Sequence, residues 1–125
     1  SITALEAPPH LSGSQPLTML LPYDQGFSAN VNVQIQRFEG GLKEYKTLSQ
    51  KQFEELGFKV VSETLNTTHL IMEYSGRVKG RELHWYAKAM KKGTFIYLAT
   101  ATSLEINWPQ NKFELSRSVN SFSLN

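Results

Sequence analysis

The cleanest alternation in the chain covers residues 29–37, where Val31, Val33 and Ile35 share one face and Asn30, Asn32, Gln34 and Gln36 the other. A period of two sends successive side chains to opposite sides of a strand, so this segment predicts a strand with one wet face. Ahead of it, residues 17–21 form a short apolar run stopped by Pro22, and Asp24-Gln25-Gly26 supplies a turn. Gly40-Gly41 breaks the pattern. Leu42, Tyr45, Leu48, Ser49, Gln52, Phe53 and Leu56 then recur near a helical period, and Gly57 suits the left-handed residue that ends such a helix. A meander of four strands follows at 58–64, 69–75, 82–91 and 94–102, joined by turns at Asn66-Thr67, Val78-Lys79-Gly80 and Lys92-Gly93. A second amphipathic helix closes the pattern. Asn107 can cap it, Pro109 suits its first turn, and Trp108, Lys112, Leu115 and Val119 share a face, before Phe122 and Leu124 end the chain in a short extended segment.

In the last meander strand, Phe95, Tyr97, Ala99 and Ala101 point one way and Ile96, Leu98 and Thr100 the other, so both faces are at least partly apolar. Such a sheet needs cover on both sides, and two amphipathic helices are on hand. Alanines at 87, 89, 99 and 101 allow a helix to approach closely. The expected class is α+β, an antiparallel sheet sandwiched between helices in three layers; a two-layer domain with its second face partly exposed is the alternative. Trp85 shares its strand face with Leu83, Ala87 and Ala89 and is expected to be buried, with a cost of roughly 3–5 kcal/mol for its replacement by alanine. The segment 1–16, with Pro8, Pro9 and Gly13 and no sustained period, reads as an extended arm, and the segment 17–125 as a single domain.

Composition narrows the chemistry. The chain has 125 residues and a formal charge of +2, too balanced to make nucleic acid or anionic membrane its main partner. It has no cysteine, which removes thiol catalysis, disulfides, iron-sulfur clusters and cysteine-built zinc sites. No serine elbow, zincin, phosphate-loop or dinucleotide fingerprint occurs, and the only aspartate, Asp24, lies in a turn. No catalytic residue and no cofactor is expected. Of the three histidines, His10 sits in the arm, while His69 and His84 occupy neighbouring strands near Glu73 and Glu82. A metal site built on them lacks a third convincing ligand, and strand histidines on a surface are far commoner than ligands. Charge is less even than the total. In the segment 77–92, Arg77, Lys79, Arg81, Lys88, Lys91 and Lys92 are set against Glu82 alone, a local +5. These six cations form the candidate partner surface. Its two turns lie at opposite ends of one strand, roughly 30 Å apart, a span suited to a protein, or to an anionic membrane surface, rather than to a metabolite.

The order of elements resembles one known superfamily. The segments "LTMLLPYDQGFSANVNVQIQRF", "LKEYKTLSQKQFEELGF", "KVVSETL", "HLIMEYSGRVKGRELHWYAKAMKKGTFIYLATAT" and the closing "SVNSFSL" are similar to the Mog1/PsbP/DcrB-like proteins over residues 17–124. The marks are packing and turn residues, specific in their order and spacing. The resemblance implies an antiparallel sheet between helices, and binding or accessory work rather than catalysis. Members include a photosystem subunit, a GTPase-binding transport factor, bacterial envelope proteins and chaperones of secreted effectors. No catalytic set is shared across the superfamily. It implies a bacterial envelope or secreted accessory domain, periplasmic or lipid-anchored, that binds a protein or a ligand, with the arm as the remnant of a removed signal or anchor. A cytoplasmic chaperone of a secreted effector is the first alternative, and a metal protein or enzyme using His69 and His84 the second.

Overall fold

The computed structural model describes residues 14–24 and 27–124, with side chains from residue 29 onward. Most of the expected arm, His10 within it, and the Gln25-Gly26 turn lie outside the described residues. Among those described, six strands, β1 (Ser14–Asp24), β2 (Phe27–Arg37), β3 (Lys59–Leu65), β4 (Leu70–Val78), β5 (Arg81–Lys92) and β6 (Phe95–Leu104), form one antiparallel sheet in the order β1-β2-β6-β5-β4-β3. Helix α1 (Leu42–Leu56) joins β2 to β3, and a 3₁₀ turn, Glu105–Asn107, leads into α2 (Trp108–Asn120). The expected meander is therefore present, with each strand shifted or lengthened by one to three residues. Chain order alone leaves open how the early hairpin joins it. In the structure β2 pairs with β6, running from Asn30 opposite Thr102 to Arg37 opposite Phe95. The connection through α1 must therefore carry the chain from β2, across the width of the sheet, to the far edge where β3 starts.

Each helix has its own core. Trp108, Leu115 and Val119 of α2, with Phe122 beyond it, pack on Val31 and Val33 of β2, Met90 of β5, and Ala99 and Ala101 of β6. Tyr45 and Phe53 of α1 pack with Leu70 and Met72 of β4, Ala87 and Ala89 of β5, and Ile96 of β6. The two sets take alternate residues along β5 and β6, so the helices lie on opposite faces of the sheet. Small residues sit beneath both, Ala99 and Ala101 under α2 and Ala87 and Ala89 under α1, which brings each helix close.

Helix α1 starts where Gly41 N–H donates to Glu44 Oε1 at 2.8 Å and ends on Gly57, whose φ of 76° is a conformation that side chains with a Cβ resist. Its buried stripe is Tyr45, Ser49 and Phe53, spaced by four. Leu48 and Leu56, expected on that stripe, are exposed, because the sheet covers only one row of the helix's side chains. Asn107 stands at the start of α2 but makes no side-chain cap; the 3₁₀ turn brings the chain into the helix instead. Trp85 is half-buried, not buried. It lies in a stack with Phe58 at 4.8 Å and Tyr74 at 5.1 Å, and Phe53, near the end of α1, stacks on Tyr74 at 4.1 Å. Among the described residues, no helix is long and apolar enough to cross a membrane.

Candidate functional site

The six cations of the expected surface do not form one surface. Lys88 is 9% exposed and lies on the α2 side of β5, where its Nζ donates to Asn120 O at 3.0 Å and Phe122 O at 2.7 Å. Burial lowers its pKa from the ordinary lysine value. Lys91 has the opposite parity, lies on the α1 side, and donates through Nζ to Phe38 O and Gly40 O while passing over the Phe38 ring. Both lysines thus terminate backbone segments at the ends of other elements. Arg77 pairs with Glu82 at 2.7 Å in an exposed ion pair, next to the turn that holds Lys79 and Gly80. Arg81 and Lys92 occupy opposite ends of β5. The charge cluster of the sequence is consequently divided between two ends and two faces of one strand.

His69 and His84 do not converge. His69 sits in the hairpin between β3 and β4, where Asn66 Oδ1 accepts from the Thr68 N–H at 2.9 Å and the His69 N–H at 3.0 Å. Those two bonds orient the Asn66 amide, so its Nδ2 donates to His69 Nε2 at 3.0 Å, and Nδ1 is left to donate to Thr68 Oγ1 at 2.9 Å. Neither ring nitrogen keeps a lone pair for a metal.

His84 is 5% exposed and stands among carboxylates. Its Nε2 lies 2.6 Å from Glu73 Oε2 and its Nδ1 2.9 Å from Glu105 Oε1, while the ring stacks on Trp108 at 4.4 Å. An ionised carboxylate only accepts and an uncharged imidazole brings one N–H, so the second contact needs a further proton on the ring or on a carboxylate. Direct contact at these lengths leaves no room for an ion between the groups, and no set of three ligating side chains that could hold a metal occurs among the described residues. His84 ties β4 and β5 to the turn that opens α2, Tyr86 donates to Asn120 Oδ1 at 3.0 Å, and Lys88 holds the carbonyls at the helix end. Alternate residues of one strand therefore fasten α2 at both ends. Glu105 was missed from sequence because the whole of β6 separates it from its partner in the chain; of the two carboxylates expected near His84, Glu73 is there and Glu82 is instead taken by Arg77.

A cleft of about 460 Å³ opens where β5 outruns its neighbour. The last pair between β4 and β5 is Leu70 with Ala89, yet β5 continues to Lys92. Lys92 and Phe95 close the turn to β6, so odd-numbered residues of β5 turn their main-chain groups toward β4, and at Lys91 no β4 residue is left to meet them. Thr67, Thr68 and His69 wall the cleft on the hairpin side. Leu42 borders it from the α1 side, Ser123 and Leu124 from the α2 side, and Met90, Lys88 and Lys91 line it from β5.

A second feature lies on the far margin of the sheet. Among the described residues, five of the seven large hydrophobic side chains that are exposed, Leu48 and Leu56 of α1 with Val60, Val61 and Leu65 of β3, belong to two elements packed on each other at the open edge. The strand is interrupted by a register shift between Val60 and Ser62, which leaves Val61 outside the ladder with β4.

No protein-family model matches the chain, and no curated protein matches it. Among solved structures, PA94 from Pseudomonas aeruginosa, described as a protein of unknown function, superposes with a TM-score of 0.79 at 16% sequence identity, covering 97% of this chain and 90% of that chain. At that identity the likeness extends to the fold: an α+β protein with two helices packed on an antiparallel sheet.

Proposed function

We propose that the chain is a non-enzymatic accessory domain, a three-layer member of the Mog1/PsbP/DcrB-like group, that holds a partner protein against its β3 margin in the bacterial envelope. The observation that carries this reading is the concentration of exposed apolar side chains, Leu48, Leu56, Val60, Val61 and Leu65, on one edge strand and the helix beside it. A lone exposed leucine is ordinary, whereas a cluster beside an unpaired strand edge suits a partner that adds main-chain bonds and covers apolar surface together. The bulge at Val61 fits the same role, since it limits indiscriminate edge-to-edge pairing and leaves room for a shaped partner. Support against a catalytic role comes from His69 and His84, whose ring nitrogens are all engaged within the protein. The envelope placement rests on the family resemblance alone.

The experiment compares partners captured from a native bacterial extract by the parent protein and by a variant carrying Leu56→Glu and Val61→Lys, two exposed positions where charge leaves the core intact. Loss of one specific partner with the variant is the expected result. Identical capture profiles would sink the edge as the docking surface.

A further inference from the structure

We propose that Glu73, His84 and Glu105 form a proton-dependent latch that closes the start of α2 onto β5 under acid conditions and releases it as pH rises. The device is separate from the β3 margin. Each ring nitrogen of His84 meets a carboxylate oxygen, Nε2 at 2.6 Å and Nδ1 at 2.9 Å. Two carboxylates and one imidazole make both contacts only while the trio carries a proton beyond the single N–H of the neutral ring. Whichever member holds that proton, its loss sets a nitrogen lone pair against a carboxylate. The two glutamates then differ. The Glu73 side chain is 13% exposed and would be stranded without a donor, whereas that of Glu105 is 45% exposed and can turn back to water. The remaining ring N–H therefore stays with Glu73, and Glu105 lets go. Trp108 adds to the preference for the protonated state, because its ring stacks on His84 at 4.4 Å and an aromatic face attracts a cation more than a neutral ring.

The groups facing the trio come from every neighbouring element. Glu73 stands on β4 and Glu105 in the 3₁₀ turn, while β6 places the uncharged Ser103 opposite His84. From α2 comes the Trp108 ring, with Lys112 one turn on and exposed. Lys59 of β3 is opposite Ser75, itself opposite His84, so it stands two strands away and is exposed. On β5, Glu82 precedes on the same face and is taken by Arg77 of β4; Tyr86 and Lys88 follow and are held by the end of α2. Those last bonds carry no such proton requirement. The start of α2 can therefore loosen about a fixed end, uncovering the buried Trp108, while Asn111 Nδ2 still donates to Ser103 Oγ at 3.2 Å and keeps the helix from detaching.

The test follows amide hydrogen exchange of the full chain, corrected for intrinsic rates, at about pH 5.5 and about pH 8, either side of the range in which imidazole changes charge. Closing takes up a proton, so protection at residues 110–113 should fall by about tenfold or more as pH rises, while residues 45–53 of α1 keep theirs. Glu105→Gln separates the proton from the contact. Its amide can donate to Nδ1 of the neutral ring while the Nε2 hydrogen stays on Glu73, so this latch needs no extra proton. The variant should hold the parent's acid-side protection at both pH values. Glu105→Ala, which places no polar group there, should be weakly protected at both. Residue 105 is partly exposed, so neither change buries an unpaired group. Parent protection equal at the two pH values, a fall in Glu105→Gln as large as the parent's, Glu105→Ala as protected as the parent at acid pH, or an equal fall across α1 would each overturn the proposal. None of these outcomes touches Leu56 or Val61, so the docking margin stands or falls by its own experiment.

Discussion

Gly76 of β4 lies under the ring of Phe58, and a Cβ added there would sit 2.1 Å from Cδ1, 2.7 Å from Cε1 and 2.9 Å from Cγ of that ring. Its φ is not positive, so alanine is acceptable to the backbone, and the whole penalty of Gly76→Ala comes from contact. Since an ordinary contact begins near 3.4 Å, the ring must retreat by more than an ångström. It cannot do so freely. The Phe58 N–H donates to Phe53 O at 2.8 Å, and the ring stacks on Trp85 at 4.8 Å. Overpacking of this kind costs roughly 1–3 kcal/mol, and loosening one aromatic pair adds about 0.5–1.5 kcal/mol. Against this, alanine restricts the unfolded chain and recovers about 0.4–1 kcal/mol. A net loss of about 2 kcal/mol follows, which lowers the melting temperature of a chain this size by roughly 5–10 °C. Urea unfolding followed by tryptophan fluorescence measures it, with the slope unchanged if both end states are preserved. The control is Phe58→Ala, which removes the ring. In that background Gly76→Ala should cost close to nothing, giving a coupling energy of about 2 kcal/mol. A single variant within about 0.5 kcal/mol of the parent, or an equal loss in both backgrounds, would refute the reasoning.

Replacing His84 by alanine leaves Glu73, whose side chain is 13% exposed, without its partner; a loss of roughly 3 kcal/mol is expected in the same urea assay. His84→Gln, which keeps one donor, should recover part of that loss. Trp85→Ala should cost about 2 kcal/mol, less than a fully buried tryptophan, because the ring is only partly buried and loses mainly its stacking on Phe58 and Tyr74. Burial raises the phenol pKa values of Tyr74 and Tyr45, so the stability they contribute is complete below the unfolded tyrosine value, about 10, and is lost as pH rises above it. Lys88 works in the opposite sense: its lowered value makes stability rise between that value and about 10.4. Melting temperatures measured from about pH 8 to 12 should therefore fall above about pH 10, and fall less steeply in Tyr74→Phe; an identical decline in both proteins would count against the tyrosine as its cause.

Local patterns in the sequence were enough for the elements. The alternation of Val31, Val33 and Ile35, the turn at Lys79-Gly80 and the glycine after Leu56 each act over a few residues, and each element appears where those patterns place it, within one to three residues. The two apolar faces of β6 called for cover on both sides, and the two cores meet that demand. These are short-range consequences of side-chain period and backbone freedom, which is why one sequence suffices to read them.

Pairing between distant segments was decided only by the tertiary structure. Whether the early hairpin joins the meander at β3 or at β6 depends on where α1 crosses, and nothing within β2 specifies it. The same applies to charge. Lys88 and Lys91 are three residues apart in the chain, yet strand parity sends them to opposite faces, where carbonyls from residues 38, 40, 120 and 122 engage them. A basic run thus became two struts. Glu105 found His84 across the whole of β6, and the cleft exists only because β4 starts at Leu70 while β5 continues past it. Side-chain period states which residues share a face, but which backbone ends run out of partners, and which cations terminate them, depends on the relative lengths and register of strands far apart in sequence.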